Sequence, residues 1–243
     1  METPRKGAAR RADVSADMLV ALNTGREQTR TLPEMLAMDL AVLLEHVAPA
    51  IDPAPLRAVA GEGITRRMET AGRLIGADWR DLIGHGSDTV RGWAAYAIAA
   101  EDGLSLRQRL ELMAPLADDD HFGVREWAWL ALRPHVVAEP LAAVELLVPW
   151  TTASSPYRRR FASEATRPRG VWCAHIRVLR ADPRPGLAVL TPLRADPHRY
   201  VQDSVANWLN DAAKDHPDWV GEIIQSWQGQ APPYVLKRAG RSL

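Results

Sequence analysis

Cysteine is nearly absent from this chain. Of 243 residues only Cys173 carries a thiol, so an intrachain disulfide and a cysteine-rich metal site are both excluded. Lysine is scarce as well: Lys6, Lys214 and Lys237 are the only three among 30 basic residues, the rest being arginine. No apolar run approaches the ~18 residues needed to cross a bilayer. The longest, around Leu40–Leu44, is interrupted by Glu45. Met1 to Ser15 is small and basic, without the apolar segment of a secretory signal, so a cytoplasmic location is expected. There is no glycine-rich phosphate loop after a strand. The seven histidines are scattered without metal-ligand spacing, and no metal site is expected. Cys173 follows Trp172 and lacks the His/Asn partners of a thiol nucleophile.

What is present is an ordinary soluble composition, 47% hydrophobic and 25% charged, with zero net charge. The charges are unevenly distributed. Residues 1–120 carry 14 basic and 19 acidic side chains, and residues 121–243 carry 16 and 11. Residues 157–199 hold ten arginines against Glu164, Asp182 and Asp196. Such a patch is the electrostatic footprint of a phosphate-binding surface, and equally the result of arginine-rich solvated helix faces.

Apolar spacing predicts helices. Met35 to Val47 has apolar residues at 36, 40, 43, 44 and 47, and similar stripes run over 106–116 and 141–150. Proline and glycine fall between the stripes, and no sustained period-2 run is found, so the fold class is all-α. Residues 1–13 are aperiodic and are expected to form a flexible tail ahead of one domain over 14–243. Five segments align on Val90, Val124, Arg158, Val201 and Val235, at intervals of 34, 34, 43 and 34 residues. Four positions after each anchor stand Ala94, Ala128, Ala162, Val205 and Ala239, and one position after the first three stand Arg91, Arg125 and Arg159. A period of this size with two helices per unit indicates HEAT-like repeats stacked into a curved solenoid, with repeated arginines lining a concave basic face.

Trp93, Trp127, Trp208 and Trp227 have helical neighbours that suit burial. Trp172 lies beside a Pro- and Arg-rich turn, where an aromatic ring can meet a cation or a base. Glu164 is the single acid among Arg158, Arg159, Arg160, Arg167 and Arg169; it is either a salt-bridged surface acid or a carboxylate held in a basic groove. Asp211 stands near the end of an amphipathic stretch, as an interhelical carboxylate or as a second functional acid.

The stretches "RRFASEATRPRGVW" and "YVQDSVANWLNDAAKDHPDWV" resemble the HEAT-like-repeat DNA alkylation repair glycosylases, the AlkD/AlkC group and its AlkC branch in particular. The closing segment "YVLKRAGRSL" resembles that group's last repeat. The resemblance is most specific over about residues 87–243. It implies a monofunctional DNA glycosylase that removes cationic alkylated bases such as 3-methyladenine from duplex DNA in base-excision repair, as a monomer and without metal or organic cofactor. It implies catalytic roles for Asp211, Glu164 and Trp172. The arginines and Lys214 gather as DNA-binding candidates: Arg91, Arg125, Arg159, Arg160, Arg167 and Arg169 with that lysine.

The sequence also departs from the pattern. Trp129 stands where the AlkC branch carries a further active-site glutamate, and Glu126, one turn earlier, is a candidate substitute carboxylate. Trp208 replaces a histidine, and Gln202 and Asp203 replace two arginines. Two other readings follow: a noncatalytic binder of damaged or bent DNA, and a protein–protein scaffold.

Overall fold

The computed structural model describes residues 5–243, and no strand occurs among them. The helices in order are α1 Ala16–Asn23, α2 Leu32–Ala37, α3 Leu40–Val47, α4 Ala54–Ala58, α5 Ile64–Ile75, α6 Trp79–Leu82 and α7 Asp88–Ala100. They continue as α8 Leu106–Ala117, α9 Phe122–Ala138, α10 Pro140–Leu147, α11 Pro156–Ala165, α12 Arg177–Ala181, α13 Leu187–Leu193, α14 Arg199–Ala213, α15 Pro217–Ser226 and α16 Pro233–Ala239. The described residues group into two compact units. The first comprises the described residues up to Gly103 with Asp119–Ala131, and the second Leu104–Asp118 with Leu132–Leu243.

In the first unit, the stripe over 35–47 is two helices. Met38 turns extended and ends α2, and Asp39 caps α3, its carboxylate accepting from the amides of Ala41 (2.9 Å) and Val42 (3.2 Å). Of the expected flexible tail, residues 1–4 lie outside the described residues, and the segment from Arg5 is tied down. Arg5 forks onto buried Glu34 at 2.5 and 3.1 Å, and Glu34 also accepts from the Ala8 amide at 3.0 Å. Burying the Glu34 carboxylate would raise its pKa, but Arg5 and the amides of Arg30 and Ala8 hold it below its ordinary value.

In the second unit, Trp208 is fully buried and packs on Gly186. A Cβ at Gly186 would come within 2.2 Å of the indole, so the close approach depends on glycine there. Ser155 caps α11 through the Tyr157 amide at 3.1 Å, with Pro156 pre-set for the first helical turn.

The five aligned segments are the helices α7, α9, α11, α14 and α16. Val90, Val124, Val201 and Val235 are buried, as are all five small residues four positions on. Arg158 replaces the valine of the third segment and lays its guanidinium over the Trp150 ring, 4.6 Å from the centroid.

The arginine that follows the anchor has a repeated task. Arg91 Nη1 donates to the carbonyls of His85 (2.6 Å) and Gly86 (3.3 Å), six and five residues back. Arg125 does the same at Asp119 (2.6 Å) and Asp120 (2.9 Å), and Arg159 at Ala153 and Ser154, both 2.8 Å. In the fourth repeat Gln202 reaches the equivalent carbonyl, that of Asp196, at 2.9 Å. Arg91 and Arg159 also fork onto Asp119 and Asp196, and these acids accept from the amides of His121 (2.7 Å) and His198 (2.8 Å) at the start of α9 and α14. Arg91, Arg125 and Arg159, candidates for DNA contacts, thus each donate to the carbonyls of the turn ahead of their own helix.

Removing one partner of a buried ion pair strands the other charge, at a cost of about 3–5 kcal/mol. Arg159→Ala leaves buried Asp196 without its guanidinium and is expected to lose roughly that much stability in urea unfolding. An unchanged midpoint contradicts the clamp.

Candidate active site

Glu164 lies in the last turn of α11, and Asp211 in the last turn of α14. Both are buried, and Arg167, just past the end of α11, joins them. Its Nη1 donates to Glu164 Oε1 at 2.6 Å, while Nε and Nη2 donate to Asp211 Oδ2 at 2.9 and 2.7 Å. Glu164 Oε2 accepts from Ser204 Oγ at 2.7 Å and lies 3.4 Å from Arg160. Burial pushes the Glu164 pKa up, and Arg160, Arg167 and the Ser204 hydroxyl more than reverse this, so the carboxyl sits below its ordinary value and is ionised at neutral pH. Arg167, with an acid on each side, is held above its ordinary value despite its own burial. Lys214 Nζ lies 3.3 Å from Asp211 Oδ1.

The segment from Thr166 to Ile176 leaves α11 as a loop fixed at both roots. Arg133 of α9, 1% exposed, donates to the carbonyls of Ala165 (3.0 Å), Arg167 (2.7 Å) and Ala174 (2.9 Å). Trp208 Nε1 donates to the Thr166 carbonyl at 3.0 Å, and the Ile176 amide to that of Pro168 at 3.0 Å. Between these ties Val171 and Trp172 are exposed, and Trp172 has φ 64°, in the left-handed region that a bulky residue occupies only under constraint. Cys173 beside it is half-buried, and burial pushes its thiol pKa up, opposite to what a thiolate nucleophile needs.

The structure thus brings Glu164 and Asp211 onto one arginine and displays Trp172 on the loop that this arginine begins. Arg160 is buried and also lies over the Tyr200 ring, 4.6 Å from its centroid. Arg169 pairs with Asp215 at 2.6 Å, and Lys214 is the half-exposed cation of the set. Glu126 belongs to the first unit, where it accepts from the Trp129 indole at 2.8 Å.

Sequence reasoning missed Arg133 and Ser204. Arg133 had a signal, a cation in the apolar run "WLALRP" ahead of Pro134, which demands buried acceptors. Ser204 had none. Trp208, read as a departure, secures the loop root.

Asp215, one turn beyond Asp211, takes Arg180 through Nε and Nη2, both at 2.9 Å, as well as Arg169. The two arginines hold its pKa down at about 2, against an ordinary 3.8. A depressed carboxylate contributes stability that is present above its unfolded pKa and is lost as pH falls through the folded value. Asp215→Asn is expected to cost about 1 kcal/mol at pH 7 after allowance for solvent screening. In thermal melts that deficit should shrink between pH 4 and pH 2; a deficit constant with pH contradicts the assignment.

The sequence model of the DNA alkylation repair enzyme family matches residues 124–243. The uncharacterized protein YhaZ of Bacillus subtilis (strain 168) is 36% identical over 115 residues, 46% of this chain and 32% of its own length. The Pseudomonas fluorescens alkylpurine DNA glycosylase AlkC, solved bound to DNA containing an abasic site analog, superposes with a TM-score of 0.65 at 25% identity, over 85% of this chain and 61% of that one. This chain thus spans about a third of YhaZ and three fifths of AlkC. AlkD2 from Streptococcus mutans shares the fold, with a TM-score of 0.59 at 20% identity over 83% of this chain and 96% of its own. Residues 124–243 of this chain thus carry the sequence pattern of the DNA alkylation repair enzyme family, and the chain shares the all-helical, HEAT-like fold of AlkC and AlkD2.

Proposed function

We propose that this chain is a monofunctional DNA glycosylase that removes cationic alkylated bases, of the 3-methyladenine class, from duplex DNA, as a monomer and without a metal or cofactor. The observation that carries the reading is the pair of buried carboxylates, Glu164 and Asp211, joined by Arg167 at the root of the loop that displays Trp172. A ring-alkylated purine already bears positive charge. When its bond to C1′ breaks, the electron pair goes to the base nitrogen, which leaves neutral, and the charge passes to the sugar. Asp211 is assigned to that oxocarbenium-like sugar, stabilising it and orienting the water that attacks C1′. The water proton passes through the carboxylate to solvent, leaving an abasic site and a free base.

Glu164 adds to the same negative field, and Trp172 offers a π face to the base or sugar, worth about 0.5–2 kcal/mol toward a cation. Lys214, Arg167, Arg169 and Arg160 supply the positive field for the flanking phosphates.

A second reading, a noncatalytic binder of damaged DNA, is favoured by one observation. Both Asp211 oxygens already face cations, Oδ2 from Arg167 and Oδ1 from Lys214. On the catalytic reading, bound substrate competes with Arg167 for Asp211.

Base release from a methylated duplex, followed by chromatography under single-turnover conditions, separates the two. Wild type should release methylated base, and Asp211→Asn, checked for an intact helical spectrum, should slow release by about 10²-fold or more. Salt-sensitive binding without release by the wild type assigns the second reading. Neither release nor binding refutes both.

A further inference from the structure

Beyond the loop, the second unit contains a recess of about 590 Å³ lined by Val137, Ala174, His175, Arg177, Val178 and Arg180. No acid lines it. The surrounding charges form a connected series: Glu164, Arg167, Asp211 and Lys214 are linked in turn, and one helical turn on Asp215 holds Arg169 and Arg180. The series ends at the recess. Arg180 commits Nε and Nη2 to Asp215, and its Nη1 makes no hydrogen bond among the described residues. Arg177, the next cation, is exposed and makes no ion pair among the described residues. His175 adds a ring with two polar nitrogens.

The other lining is apolar. Val178 is 45% exposed between two arginines, and Val137 and Ala174 complete the lining. Cations beside aliphatic carbon match a sugar–phosphate unit, whose phosphate seeks guanidinium groups and whose deoxyribose presents C–H surface. A free inorganic anion has no use for the apolar part. Ala174 and His175 are also the far end of the loop that displays Trp172, and the Ala174 carbonyl is pinned by Arg133 at 2.9 Å.

We propose that this recess is a phosphate-binding subsite that seats one sugar–phosphate unit of the DNA strand running past the Trp172 loop, with Arg177 as its principal ligand. It rests on the reading of the chain as a DNA-binding protein. Neutralising one fewer phosphate lowers the dependence of log affinity on log salt by about 0.9 for duplex DNA.

The test is fluorescence anisotropy with an undamaged 20-base-pair duplex titrated at several KCl concentrations. Wild type is compared with Arg177→Gln and with Arg107→Gln, which removes the same charge from an exposed position on α8. Arg177→Gln should weaken binding roughly 3–10-fold at 100 mM KCl and reduce the salt slope by about 0.9, with Arg107→Gln close to wild type. Adding millimolar inorganic phosphate at constant ionic strength should leave wild-type affinity unchanged; competition at that level makes the recess a free-anion site and overturns the sugar–phosphate assignment. Duplex binding with the same slope in Arg177→Gln, or an equal loss in Arg107→Gln, overturns the subsite alone and leaves the glycosylase reading intact. Absence of any wild-type binding overturns both.

Discussion

Everything at the candidate site depends on Arg167. Burying two carboxylates away from water costs several kcal/mol for each one that is charged, and as like charges they would also repel. One guanidinium between them, donating to Glu164 and twice to Asp211, makes their joint burial tolerable. The end of α11 is thereby tied to the end of α14 within the second unit. Arg167 is also one of the three residues whose carbonyls Arg133 grips, so the ion pair and the loop share one anchor.

That shared anchor explains how a bulky residue can sit at φ 64°. The left-handed conformation of Trp172 is unfavourable by order 1–3 kcal/mol for a non-glycine residue and persists only when its surroundings over-determine it. Three carbonyls held by Arg133, one by Trp208 and one by the Ile176 amide supply that constraint. The indole is exposed with its backbone fixed, an arrangement suited to meeting a partner at little further entropic cost.

Much of the fold was legible in the sequence, because the repeat writes itself in residue size. The anchors Val90, Val124, Val201 and Val235 and the small residues four positions on must be buried for helices to stack, and they are. The boundary at Asp39 was not legible from apolar spacing, since a cap interrupts a helix without interrupting the stripe. The repeated arginines show a different limit. A guanidinium that clamps two backbone carbonyls and one that binds phosphate are the same residue at the same register, and only the position of the acceptors separates them. Of the candidate site, Glu164, Asp211 and Trp172 were named from the motifs, and the structure joins the two carboxylates through Arg167. The chain of contacts that holds them, Arg133, Trp208 and Ser204, joins residues far apart in sequence, so the cation in the apolar run at Arg133 signals a need for buried acceptors without naming them.

The central claim is that Asp211 acts through, and is governed by, its pairing with Arg167. A double-mutant cycle on single-turnover base release addresses it directly, with Arg167→Met, Asp211→Asn and the combination. The account predicts strong non-additivity, the double variant being no slower than the worse single one, since each removes the same unit. Additive losses across the cycle would show that the two side chains act independently and would contradict the account.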